Sequence, residues 1–191
     1  LGGFDIGSTT GDGWSVIFDN SGHLFNFVHN DGAGTVTPSL DCHNRDGSRC
    51  SGTWPRIFLN TDNSVAFHTS HRLGGWFDAA NNTIWFDTSF GANLGFACLD
   101  VSNVATTGSI YCGGSLASAF VPLVNQPNTC FAGLRFQCTS GIAYAAGKLF
   151  TWDVNNGDLL CMQVSGITGS ACSTPKWSVG AAANGWYAET A

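Results

Sequence analysis

Eight cysteines carry the chemistry that spacing constrains most: Cys42, Cys50, Cys98, Cys112, Cys130, Cys138, Cys161 and Cys172. None falls in a Cys-x-x-Cys pair, so neither a zinc ribbon nor a dithiol redox site is indicated. An even number in close, irregular pairs reads as local disulfides, formed in an oxidising compartment. The expected location is therefore secreted or cell surface. With every sulfur so assigned, no thiolate remains to act as a nucleophile.

Histidines and carboxylates offer less. His68 and His71 stand three apart, a gap that brings two rings to one metal on a helix but points them to opposite sides of an extended connector. Their nearest acids are Asp62 and Asp78, and polar loop histidines account for both. Asp153-Val-Asn-Asn-Gly-Asp158 imitates the start of a calcium loop without its closing glutamate, the one Glu of the chain being Glu189. A β-turn explains the same residues, with Asn and Gly at the positive-φ positions. No metal site or cofactor is expected, calcium being the alternative. His29, His43 and the other aspartates are scattered, and twelve Asp against one Glu speaks for turn chemistry before acid–base chemistry. No catalytic residue is assigned, and the chain reads as a non-enzyme.

Two kinds of contact site remain. Asn81-Asn-Thr83 is a glycosylation sequon on an expected hairpin turn. Seven tryptophans (14, 54, 76, 85, 152, 177 and 186) offer rings that could stack on a sugar. Trp85 and Trp152 are expected in the core between sheets, and Trp14 and Trp76 recur at one structural position. Trp54 beside Pro55, and Trp186 beside Tyr187, are the candidates for ligand contact.

The elements that must hold these residues are strands. Of 191 residues 43% are hydrophobic and only 10% charged, with 25 glycines, which suits a turn-rich β protein rather than exposed helices. A net charge of -6 with seven Lys plus Arg leaves no basic stripe for a nucleic-acid partner. No run approaches the roughly 18 apolar residues of a membrane span. The chain begins at Leu1 rather than Met, so its N-terminus is expected to arise by cleavage or to lie within something longer.

Self-comparison organises the chain into three units, at about 12–55, 74–116 and 141–175. Each reads strand, tight turn, strand, turn, strand, turn, strand. The first strands are Gly13–Phe18, Gly74–Phe77 and Gly141–Tyr144; the second are His23–Val28, Thr83–Phe86 and Lys148–Trp152. Third strands end near Cys42, Cys98 and Cys161, and fourth strands are expected at Arg49-Cys50, Ile110–Cys112 and Ala171-Cys172. Bulky residues on both faces of the second strands suit sheets covered on both sides. The two cysteine columns predict Cys42–Cys50, Cys98–Cys112 and Cys161–Cys172, leaving Cys130–Cys138 to close a loop before the third unit.

The stretch from Gly147 to Leu160, Lys-Leu-Phe-Thr-Trp-Asp-Val-Asn-Asn-Gly-Asp-Leu within it, resembles the hairpin of PQQ-type and related β-propeller repeats. Phe96-Ala-Cys-Leu-Asp100-Val and Leu40-Asp-Cys-His-Asn44 resemble weaker forms of it. The resemblance implies an all-β fold of three four-stranded antiparallel blades about a central axis, and no particular ligand. The cofactor-binding residues of the quinoprotein enzymes have no counterpart. Asp5-Ile-Gly-Ser-Thr-Thr10 resembles the phosphate loop of actin-like ATPases and sugar kinases, but its companion motifs are missing and a polar turn accounts for it. A β-sandwich or β-prism is the alternative fold.

Closed propellers have about 4–8 blades. Three units therefore imply a piece of a longer array or a ring completed by a homo-oligomer, the former preferred. The tail 176–191, with Trp177, Trp186 and Tyr187, is expected to supply part of a further blade, and Leu1–Phe4 to pair with it. The expected function is an extracellular binding or adhesion module whose loops recognise a glycan or a protein. A subunit of a self-assembling surface structure and a segment of a larger secreted enzyme are the alternatives.

Overall fold

Turns between strands of two to eleven residues dictate the architecture. The computed structural model describes residues 11–30, 37–50, 57–58, 75–90, 93–102, 110–125, 139–153 and 156–178. Among these the fold is all-β, three four-stranded antiparallel, blade-like sheets, each a simple up-and-down meander. The first sheet holds β1 (Gly11–Phe18), β2 (Leu24–Asn30), β3 (Thr37–His43) and β4 (Ile57–Phe58). The second holds β5 (Gly75–Asp78), β6 (Thr83–Phe90), β7 (Asn93–Asp100) and β8 (Phe120–Asn125). The third holds β9 (Thr139–Ala145), β10 (Lys148–Asp153), β11 (Asp158–Ser165) and β12 (Thr168–Ser178).

The turn residues do the work their types suggest. Asp19 accepts from the backbone of Ser21 and His23 at 2.9 and 2.7 Å, and Asp78 from Ala80 at 3.0 Å, so both first hairpins are pinned by an aspartate. The third hairpin turns through Ala146 and Gly147, both at positive φ, the geometry whose twist matches the flanking strands. Cystines clasp every sheet. Cys42 is joined to Cys50, Cys98 to Cys112 and Cys161 to Cys172, with Cα atoms 5.4–5.6 Å apart. Cys130 and Cys138 lie outside the described residues.

Two fourth strands sit later than the sequence pattern places them. In the second sheet Tyr111 makes only an isolated bridge to Leu99, then a 3-10 turn (Cys112–Gly114) and a one-turn helix α1 (Leu116–Ala119) lead to β8. Ser115 caps that helix reciprocally with Ser118. In the first sheet Arg49 bridges His43, and the fourth strand is β4. Only in the third does the second cysteine lie inside the fourth strand. There Lys176, Trp177 and Ser178 pair with Leu160, Leu159 and Asp158, so this part of the expected tail completes the third sheet rather than starting another.

The second sheet is the middle layer. Its Ile84, Phe86, Ala97 and Leu99 join Ile17, Phe25, Leu40 and Cys42 of the first sheet in one buried cluster. Its Trp85, Phe96 and Cys98, alternating with those residues along β6 and β7, join Leu149 and Met162 of the third sheet in another. Across this second interface Thr151 donates to Asp87 at 3.1 Å, both side chains being buried. Trp85 is fully buried, as its strand position predicts. Trp152 is not between sheets: it falls on the opposite face of β10 from Leu149 and Thr151 and is half-buried on the outward side of the third sheet.

Candidate functional site

A four-strand meander sends its first and third connections to one end. The turns after β1, β5 and β9 and the connections after β3, β7 and β11 therefore share an end within each sheet. The sheets align so that these ends lie together. The carbonyl of Asn82 accepts from the backbone of Val101 at 3.0 Å, tying two connections of the second sheet. Asn81 Oδ1 reaches within 3.8 Å of where a side chain on Gly166 of the third sheet would begin.

This end carries exposed apolar surface among pinned polar turns. Phe18 is 64% exposed, Ile167 53% and Tyr144 46%. Tyr144 stacks on Trp76 of the neighbouring sheet, with ring centres 4.1 Å apart and planes within 10°. One ring face of Tyr144 is thus backed by an indole, a supported platform of the kind that meets a sugar ring or an apolar side chain.

The polar groups of the turns at this end are held in place. His23 Nδ1 lies 2.6 Å from Asp19 Oδ2, and Asn44 donates to Ser48 Oγ and the Arg49 carbonyl at 2.9 Å each. The hydroxyl and amide of Ser48 both donate to Asp46 and hold its carboxyl below the usual carboxylate range. Asp100 accepts from the amide and hydroxyl of Ser102, and Gln163 donates to the Gly147 carbonyl. Turns fixed in this way lose little freedom when a partner binds.

The residues singled out by the sequence fall unevenly on this frame. Asn81 is on the described end, but its Nδ2 donates to Asp78 Oδ2 at 2.7 Å and the Thr83 of the sequon is fully buried. Asp153 and Asp158 flank the turn at the opposite end. Asp153 accepts from the Asn156 backbone and side chain, and Gly157 takes positive φ, as a turn requires. Asp158, 2% exposed, lies 2.7 Å from Lys176 Nζ. Among the described residues no three His, Cys, Asp or Glu side chains converge as a metal site, and no helix is long and apolar enough to cross a membrane. Trp54, Trp186, Tyr187, His68, His71, Leu1–Phe4 and Asp5–Thr10 lie outside the described residues.

Sequence reasoning passed over Phe18, Tyr144 and Ile167. A signal was present for two of them: an aromatic is the last or next-to-last residue of the first strand in every unit, Phe18, Phe77 and Tyr144.

No protein-family model matches the sequence, and no curated protein matches it. A chain in a solved structure described as the crystal structure of a nidogen/laminin complex superposes with a TM-score of 0.45 at 15% identity, over 87% of this chain and 48% of that one. This chain therefore spans about half the length of the one it resembles.

Proposed function

We propose that the chain is a non-catalytic extracellular or cell-surface binding module, an incomplete propeller of cystine-clasped blades that recognises a protein or a glycan with its turn-bearing end. The observation that carries this reading is the half-exposed Tyr144, backed by Trp76, at the end of the sheets that carries the turns pinned by side chains. Rigid sheets that present loops are a common platform for recognition, and aromatic residues with fixed polar neighbours are what binding surfaces concentrate. The three cystines support an oxidising location.

Immobilised extracellular-matrix proteins and a glycan array, probed with the intact chain, test it. A specific ligand is expected, and Tyr144→Ala is expected to weaken its binding by at least about tenfold, as loss of an aromatic hot spot does. Trp54→Ala and Trp186→Ala, run beside it, ask whether the sequence-level candidates belong to the same surface. Absence of any ligand, or full binding by the Tyr144 variant, would overturn the proposal.

A further inference from the structure

The two sheet-to-sheet interfaces follow one rule, and both of its halves recur at the ends of the molecule. Each sheet presents to its successor an outgoing face centred on its cystine. In the first sheet that face holds Ile17, Phe25, Leu40 and Cys42; in the second, Trp76, Trp85, Phe96 and Cys98. Each successor answers with an incoming face, an aromatic at the end of its first strand beside an aliphatic on its second. These are Phe77 with Ile84 in the second sheet and Tyr144 with Leu149 in the third.

By register, the outgoing face of the third sheet is Ala143, Phe150, Leu159 and Cys161, extended by Trp152 and by Trp177 of β12. It is as apolar as the other two. Trp177 is 39% exposed against the ring of Phe150, 6.1 Å away, and Phe150, Trp152 and Leu159 are each partly buried rather than fully covered. At the other end, Phe18 and Leu24 stand where Phe77 with Ile84 and Tyr144 with Leu149 stand. Phe18 is the most exposed large apolar side chain described.

We propose that a second copy of this chain covers the outgoing face of the third sheet, docking head to tail through the corner of its first sheet formed by Phe18 and Leu24. Both halves of the contact lie on the one chain, so two copies make it twice. The result is a closed ring of six sheets, within the about 4–8 that propellers use. Ala143 stands where Trp76 receives Tyr144, and its small, exposed side chain leaves room for a phenyl ring. Where the second sheet has Phe86 and Ala97, the incoming face of the first sheet offers no apolar contact: Asn26, only 2% exposed, and Asp41 stand there. The contact therefore centres on the aromatic corner. This pairing covers Phe18 of the turn-bearing end but does not use Tyr144, on which the proposed binding rests.

The test is mass in solution by light scattering, on the intact chain and two variants. The native chain is expected at twice its 20.1 kDa. Phe18→Asp and Trp152→Asp each place a charge on one half of the contact, and each alone is expected to be monomeric. Mixed, they can form one native contact, from Phe18 of the Trp152→Asp chain to Trp152 of the Phe18→Asp chain, and pairing is expected to return. Either substitution lies on a surface exposed in the monomer, and recovery on mixing shows that the variants are folded. A monomeric native chain overturns the proposal. So does an open polymer, the product of a head-to-tail contact that does not close. A dimer lost with Trp152→Asp but kept with Phe18→Asp would place two outgoing faces against each other and overturn it as well.

Discussion

Gly95 sits where β7 and β8 approach too closely for any other residue. The register shifts between Leu94 and Gly95, and a Cβ at 95 would stand 2.0 Å from the Val121 carbonyl oxygen. The obstacle is backbone, which cannot swing aside as a side-chain tip can. Gly95→Ala is therefore expected to lower stability by about 3 kcal/mol, the upper part of the range for overpacking, measured by denaturant unfolding. A different balance governs Asp158. Burial pushes its carboxyl up, but hydrogen bonds from Lys176 and Ser178 and the Lys176 charge outweigh that and hold it below the usual range. A depressed folded value means that this contribution is complete above the unfolded carboxyl range, about 4, and fades as pH falls through the lower folded value. Asp158→Asn is thus expected to melt below the native chain at neutral pH, with the gap closing in acid. Melting curves from pH about 7 to about 2 check the direction; a gap constant with pH would show that packing, not charge, sets it.

The hairpins were legible because their signals are local: an aspartate or a glycine at each turn, and alternation along each second strand. The fourth strands were not, for a physical reason. Aligning the units on their cysteines assumes the same path from the second cysteine to the outer strand, whereas the second unit interposes α1 and places β8 eight residues beyond Cys112. Phe120-Val-Pro-Leu-Val124 is itself an apolar run, and Pro122 is tolerated because β8 is the outermost strand of its sheet. The candidate site was still less legible. Whether Tyr144 is core or surface depends on the neighbouring sheet, and nothing within its own strand encodes that. The outer strands also explain the cystines. Each tethers an outer strand, or the segment leading to it, where the strand has a neighbour on one side only, so replacing Cys98 and Cys112 together by Ala is expected to destabilise by about 3 kcal/mol, the chain-entropy value for a loop of this length. Hydrogen exchange should then rise first in β8. Uniform acceleration across all three sheets would show that the staple acts on the whole molecule instead.

At the scale of the molecule, the middle sheet is shared property. Adjacent residues of β6 serve different neighbours, Trp85 the third sheet and Phe86 the first, because successive side chains of a strand point to opposite faces. Both are fully buried, so truncating either to Ala is expected to cost about 3–5 kcal/mol. Equal costs need not have equal consequences. Trp85→Ala opens the cluster with Leu149 and Met162, so protection should fall mainly in β10 and β11; Phe86→Ala opens the cluster with Phe25 and Leu40, so it should fall mainly in β2 and β3. Native-state hydrogen exchange resolves the two patterns, because regions open as separate cooperative units. If both variants instead loosened all three sheets alike, the layers would form one cooperative unit, and the stack would be a single core rather than a chain of pairwise interfaces.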